Sequence, residues 1–216
     1  MIDVRMFTVG PVQENCFVVR QQDSGNAVIV DPGDEADRLL QAVEALGIHT
    51  VEAILVTHTH FDHIGAVAPV ARATGAPVYC PALETQVLAN VMDYVPWPGF
   101  GPFESYDADH TLDGGETVEL AGLAFEVIFT PGHSPGHVTY ALASEDALFS
   151  GDVLFQGSVG RVDLPGGDWP TLRRSIESLV DRFPGETTVY PGHMGVTTLG
   201  RERATNPFLR ELTTNQ

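Results

Sequence analysis

The stretch Val56-Thr57-His58-Thr59-His60-Phe61-Asp62-His63 places four potential metal ligands within six positions, directly after an apolar run, Val51 to Val56, that reads as a buried strand. The ligands therefore sit where a strand ends and a loop begins, which is where α/β proteins carry chemistry. His58 and His60 are two residues apart and share a side while strand geometry persists, whereas Asp62 and His63 lie past the turn and can face a second point. That spacing suits two adjacent metal ions.

The rest of the chain has to supply a scaffold for this cluster. At 216 residues it is long enough for one well-buried core. A 43% hydrophobic content marks a globular protein. No apolar run approaches the roughly 20 residues of a membrane helix, and Met1-Ile2-Asp3-Val4-Arg5 does not open like a signal peptide. A cytoplasmic protein without a membrane partner is expected. Cys16 and Cys80 sit in or beside apolar runs, as buried core thiols do. The net charge is −18 and every fixed cation is an arginine, so nucleic acid is not an expected partner. An anionic substrate group would have to be met by arginine, a metal or backbone N–H.

Val4 to Thr8, Cys16 to Arg20 and Ala27 to Val30 read as strands, with a hairpin turn at Asp23 to Asn26. Asp34 is placed to cap a helix from Glu35 to Leu46. After the histidine cluster a helix is predicted from Ile64 to Thr74, ended by Gly75, then a strand over 77–80 and a helix from Pro81 to Met92. The Pro- and Gly-rich segment Val95 to Phe103 is a loop whose three aromatics either line a substrate mouth or pack on the core. Asp107, Asp109 and His110 read as a solvated loop. Four strands follow, Thr117 to Leu120, Leu123 to Phe129, Val138 to Leu142 and Ala147 to Phe149. After them come a helix from Pro170 to Phe183, a short strand at Val189-Tyr190 and a helical piece over 200–211. Strand-rich halves each followed by helices imply two sheets face to face with helices outside. The expected class is α/β, a four-layer αβ/βα sandwich forming a single domain over 1–216.

Three further strand ends repeat one form. Thr130-Pro131-Gly132-His133, Ser150-Gly151-Asp152 and Tyr190-Pro191-Gly192-His193 each turn on a glycine and present a His or Asp at the sheet edge. With the first cluster they make a mixed nitrogen and oxygen ligand set that suits zinc, iron or manganese.

This spaced set, His-x-His-x-Asp-His, His, Asp, His, resembles the signature of the metallo-β-lactamase superfamily along nearly the whole chain. The resemblance implies the αβ/βα fold and a centre of two divalent metal ions, zinc foremost. It assigns His58, His60 and His133 to one ion, Asp62, His63 and His193 to the other, and Asp152 as the bridge. Asp62 and Asp152 are the candidate catalytic residues. The spellings Phe129 to His137, Gly151 to Phe155, Gly160-Arg161-Val162-Asp163 and Leu199 to Arg203 are similar to glyoxalase II-like thioester hydrolases of the short, single-domain kind. Larger glyoxalase II enzymes add a C-terminal helical domain that helps anchor glutathione, and no room for one is expected before Gln216. A small-molecule thioester, S-lactoylglutathione or a related thiol ester, is the expected substrate. Persulfide dioxygenases, which share much of this spelling and use one iron, are the alternative, as are hydrolases of other esters or lactams. A non-enzymatic member would be expected to lack ligands, and all seven are present.

Gly132-His133-Ser134-Pro135-Gly136 also matches the nucleophile elbow of serine hydrolases, but Pro135 has no N–H to offer an oxyanion, so Ser134 reads as a turn residue. His49 is expected to be exposed, and His137 either supports the ligands or packs. Arg161, nine residues after Asp152, is the candidate substrate contact, by a two-pronged grip on a carboxylate, or else pairs with Asp163 to pin its loop.

Overall fold

The computed structural model describes residues 1–209. The first half runs β1 (Ile2–Val9), β2 (Glu14–Gln21), β3 (Asn26–Val30), α1 (Ala36–Ala45), β4 (Thr50–Leu55), α2 (Phe61–Ile64), α3 (Val67–Thr74), β5 (Val78–Pro81), α4 (Thr85–Leu88), α5 (Val91–Tyr94) and β6 (His110–Leu112). Its six strands form one sheet in chain order, antiparallel from β1 to β3 and parallel from β3 to β6. The second half runs β7 (Thr117–Leu120), β8 (Leu123–Phe129), β9 (Val138–Leu142), β10 (Ala147–Gly151), β11 (Leu154–Phe155), β12 (Ser158–Val159), α6 (Trp169–Arg182), β13 (Thr188–Pro191), β14 (Thr197–Thr198) and α7 (Leu199–Thr205). Six of these strands make a second sheet in the order β14-β13-β10-β9-β8-β7, and β11 pairs with β12.

Alternation along each strand divides its side chains between two cores. On β2, Cys16 and Val18 pack towards α1 and α3, while Phe17 and Val19 face the other sheet; on β3, Ala27 and Ile29 divide from Val28 and Val30 in the same way. On β9 and β10, Tyr140, Leu142 and Phe149 fill the space between the sheets, whereas Ala141 and Leu148 pack with Leu172, Ile176 and Leu179 of α6. Three apolar cores between four layers result, the αβ/βα sandwich that the strand and helix pattern predicts. Strands buried on both faces explain why the sequence shows continuous apolar runs at these positions.

The middle core is tied by aromatic contacts. Phe17 meets Phe149 and Tyr190 edge-on, each at 5.6 Å between ring centroids, and Phe149 stacks on Tyr190 at 5.0 Å. Tyr140 donates its hydroxyl to the Val56 carbonyl at 2.7 Å, fastening the second sheet to the segment that leads into His58.

Local structure departs from the sequence expectations at four places. Asp34 does not cap α1: it accepts from the Glu35 N–H at 2.6 Å, and Glu35, in the left-handed region, precedes the first helical residue. The helix foreseen from Ile64 starts earlier and breaks at Gly65-Ala66, where the Ala66 N–H bonds the Pro32 carbonyl, so Asp62 and His63 fall on a short helix of their own. The helix foreseen from Pro81 to Met92 is a 3₁₀ turn, Ala82–Glu84, followed by α4 and α5 with a break at Asn90. His110 begins a strand and stacks on Tyr79 at 4.4 Å between ring centroids, while Asp109 accepts from the Val78 N–H. The foreseen terminal helix matches α7 as far as Thr205, and its positions 210 and 211 lie outside the described residues. Both cysteines are buried and free, and His49 is exposed. Among the described residues, no helix is long and apolar enough to cross a membrane.

Phe149→Ala, at a fully buried position between the sheets, is expected to cost roughly 3–5 kcal/mol of stability. Tyr140→Phe should cost about 1–3 kcal/mol by removing the donor to Val56. Urea unfolding measures both, and a loss below 1 kcal/mol for Phe149→Ala would contradict the packing described.

Candidate metal centre

Four strand ends converge on one edge of the sandwich. β4 delivers Thr57, His58 and His60; α2 follows at once, with His60 at its N-cap, and presents Asp62 and His63. β8 leads to His133, β10 to Asp152 and β13 to His193. Gly151 is left-handed at φ 45°, and a side chain there would run into the Thr57 hydroxyl and the His137 ring.

All seven sequence-predicted ligands are brought together. His58 Nε2, His60 Nδ1 and His133 Nε2 form a triangle with edges of 3.1, 2.8 and 3.2 Å. Beside it, His193 Nε2 lies 3.2 Å and His63 Nε2 3.9 Å from Asp62 Oδ2. Asp152 stands between the groups, with Oδ1 3.3 Å from His63 Nε2, and Oδ2 3.3 Å from His133 Nε2 and 3.6 Å from His193 Nε2.

The tautomers follow from the outer hydrogen bonds. The Thr57 hydroxyl donates to Asp31 at 2.6 Å, so its oxygen can only accept from His58 Nδ1, 3.1 Å away. His63 Nδ1 donates to Asp31 at 3.0 Å, His133 Nδ1 to the Arg161 carbonyl at 2.7 Å, and His193 Nδ1 to the Gln13 carbonyl at 3.2 Å. In its neutral form each of these rings therefore turns a bare Nε2 inward. The bare His58 Nε2 and His133 Nε2, 3.2 Å apart, repel unless something positive, a cation or the Nδ1 proton of His60, lies between them. Tetrahedral zinc with bonds of about 2.0–2.1 Å would set its donors roughly 3.3–3.4 Å apart. His63 Nε2 and Asp152 Oδ1 are moreover fully buried and lack any hydrogen-bond partner, the condition expected of ligand atoms. The donor set fits divalent metal ions.

Burial and the neighbouring rings push His58 well below the usual histidine range and His60 down to about 4, so both are neutral near pH 7. Burial would also raise Asp152 and Asp62, but His63 foremost outweighs it and both carboxyls are held low. Burial opposes the charge on His63, yet Asp152 and Asp62 raise its pKa well above normal. A proton on His63 thus answers the same negative pair that a cation would.

Several supporting residues carried no signal of their own in the sequence. Glu84 is buried, and its carboxylate accepts from the Thr59 N–H and hydroxyl (3.3 and 2.6 Å), the Ser134 hydroxyl (2.6 Å) and the Gly136 N–H (2.7 Å). Ser134 is thereby committed to bracing. Asp31, directly after β3, accepts from the N–H and hydroxyl of Thr57 as well as from His63. Asn15 donates to the carbonyls of Pro191 and Met194 at 3.0 and 2.8 Å, fixing the turn that carries His193. His137 accepts from the Asp152 N–H at 3.0 Å, so its Nδ1 carries the proton and donates to Thr130. His137 holds the backbone of Asp152.

Over the centre lies a cavity of about 630 Å³, with His60, Asp62, His133, Asp152 and His193 in its wall. The aromatic loop serves both foreseen purposes: Trp97 reaches the cavity, whereas Phe100 and Phe103 pack on Phe61 at 4.8 and 5.8 Å between centroids. Arg161 also lines the cavity; its guanidinium is gripped by Asp163 at 2.6 and 2.7 Å and lies 5.7 Å from the Trp97 ring centroid.

Glu84→Ala strands four donors that bridge the two ligand loops. It is expected to weaken metal affinity about 10–100-fold and to lower stability by roughly 2–4 kcal/mol. Metal competition with a chelator and thermal melts check this, and unchanged affinity would show that the loops hold their shape unaided.

Residues 9–193 match the family model described as the metallo-beta-lactamase superfamily. The chain is 33% identical over 210 residues to hydroxyacylglutathione hydrolase GloC of Haemophilus influenzae, covering 96% of this chain and 98% of that protein. Among solved structures it is similar to BLEG-1 B3 metallo-beta-lactamase, with a TM-score of 0.90, 40% identity and 96% and 99% of the two chains covered. It is likewise similar to TTHA1623 in a di-iron-bound form, at TM-score 0.84 and 42% identity, with 95% and 100% covered. With this architecture, ligand arrangement and match, the chain belongs to the metallo-β-lactamase superfamily.

Proposed function

We propose that this protein is a binuclear metal-dependent hydrolase of thioesters. The observation that carries the reading is Asp152, whose two carboxylate oxygens reach the His133 side and the His63 side of one buried donor cluster. His58, His60 and His133 would hold one divalent ion, and Asp62, His63 and His193 the other. Zinc is the expected metal, with iron and manganese also suited to nitrogen and oxygen donors; the TTHA1623 relative is described in a di-iron form. When bound, such a pair supplies Lewis acidity and a water acidified towards neutrality.

The chain's own residues do the rest. The cavity admits the substrate carbonyl to the centre and narrows the approach of bulk water. Asp62, held ionised on the cavity wall, is the acceptor for the proton lost by the attacking water. Asp152, fixed through its N–H by His137, keeps the two ligand groups in register. The departing thiolate leaves as a stable anion, so no protonated side chain is required opposite Asp62. Similarity to GloC, a hydroxyacylglutathione hydrolase by name, supports thioesters, while similarity to BLEG-1, a metallo-beta-lactamase by name, makes lactams the second reading.

Protein purified without chelators should contain close to two metal ions per chain by elemental analysis, falling below one in Asp152→Ala. It should release thiol from a thioester panel that includes S-lactoylglutathione, without oxygen uptake on glutathione persulfide. Asp62→Ala should lower kcat by about 10²–10⁴-fold. Oxygen consumption on persulfide without thioester cleavage would instead identify a dioxygenase, and cleavage of nitrocefin alone would identify a lactamase.

A further inference from the structure

We infer that the cavity over the metal centre selects a substrate whose flanking group is apolar and uncharged, an aromatic or branched aliphatic thioester, and is not built to hold the carboxylates of glutathione. The thioester in this statement rests on the hydrolase reading above; the choice of flanking group rests on the walls.

Away from the metal ligands, the apolar part of the cavity wall includes Leu83, Val87, Tyr94, Val95, Trp97 and Leu164. Three of these stand at its rim with much of their surface in water: Leu83 is 69% exposed, Tyr94 50% and Trp97 40%. Large apolar side chains grouped around a concave mouth are covered when a matching ligand group arrives, and that covering favours apolar partners. Apolar walls alone suit many ligands, so the charges decide the class.

A glutathione thioester brings two carboxylates and one ammonium, a net negative charge that needs cations in the wall to meet it. Among the described residues lining the cavity Arg161 is the one fixed cation, and the chain has no lysine. The Arg161 guanidinium already donates two parallel bonds to Asp163, at 2.6 and 2.7 Å. That pair fills the Nε–Nη2 edge of the guanidinium, so a substrate carboxylate approaching its remaining N–H groups meets a cation already neutralised by Asp163. Asp93 adds a further negative charge to the same wall. Metal ions held by the seven donors would be engaged with water and the thioester carbonyl and would leave the glutathione carboxylates unmet. Trp97, with the Arg161 guanidinium 5.7 Å from its ring centroid, is still 40% exposed and presents its uncovered surface to the cavity.

The test uses the metal-loaded protein and thioethers in which CH₂ replaces the thioester carbonyl, so that binding is read without turnover. S-(2-phenylethyl)-N-acetylcysteamine is neutral, and S-(2-phenylethyl)glutathione carries the carboxylates. Titration calorimetry should give the neutral ligand at least tenfold tighter binding. Trp97→Ala should weaken the neutral ligand about tenfold. Asp163→Asn, which releases Arg161, should tighten the glutathione ligand several-fold and leave the neutral one unchanged. Equal or tighter binding of the glutathione ligand, lost in Arg161→Ala, would overturn the inference, as would failure of the neutral ligand to bind at millimolar concentration. Hydrolysis of the corresponding thioesters is measured in parallel. Preferential neutral binding with no turnover would overturn the hydrolase reading while supporting the selectivity of the cavity.

Discussion

Five imidazoles and two carboxylates are forced into one edge of the sandwich with their lone pairs pointing inward, and such a cluster is tolerable only around positive charge. Two bare ring nitrogens, His58 Nε2 and His133 Nε2, repel at 3.2 Å, and a fully buried Asp152 oxygen lacks a donor unless His63 carries a second proton. Metal binding and folding at this edge are therefore coupled. The surrounding hydrogen bonds make sense on that footing: Asp31, Thr57, the Arg161 carbonyl and the Gln13 carbonyl each take the outward proton of a histidine and fix which nitrogen turns in.

The two sheets contribute unequal but complementary parts. The first supplies His58, His60, Asp62 and His63 from a single strand end, and the second supplies His133, Asp152 and His193 from three. A centre built across two sheets needs those sheets held in fixed relation. The Phe17, Phe149 and Tyr190 contacts and the Tyr140 bond to Val56 do this from within the core. Glu84 does it at the surface of the site, where one buried carboxylate joins Thr59 of the first sheet to Ser134 and Gly136 of the second.

Much of this was legible in the sequence because it is written in local signals. Apolar strands ending in Gly plus His or Asp announced the ligand positions, and runs such as Cys16 to Val19, apolar on both faces, announced sheets covered on both sides. What was not legible depends on distant partners. Glu84 and Asp31 look like surface acids until the fold brings donors to them from segments 25 or more residues away. Asn15, in a strand, gives no hint of the turn at Pro191 to Met194 that it secures. Helix boundaries failed for a related reason: the break after α2 is set by the Pro32 carbonyl taking the Ala66 N–H, a tertiary bond that propensity does not encode.

Asp152 faces both donor groups with its two oxygens, and its N–H is fixed by His137, so in the proposed binuclear centre it would join the two ions. Anomalous difference maps collected at the absorption edge of the bound metal address this directly. Two peaks about 3.5–4 Å apart, both within bonding distance of the Asp152 carboxylate, are the expected result. A single peak enclosed by His58, His60 and His133, with His63 and His193 left uncoordinated in crystals grown with excess metal, would contradict a binuclear centre.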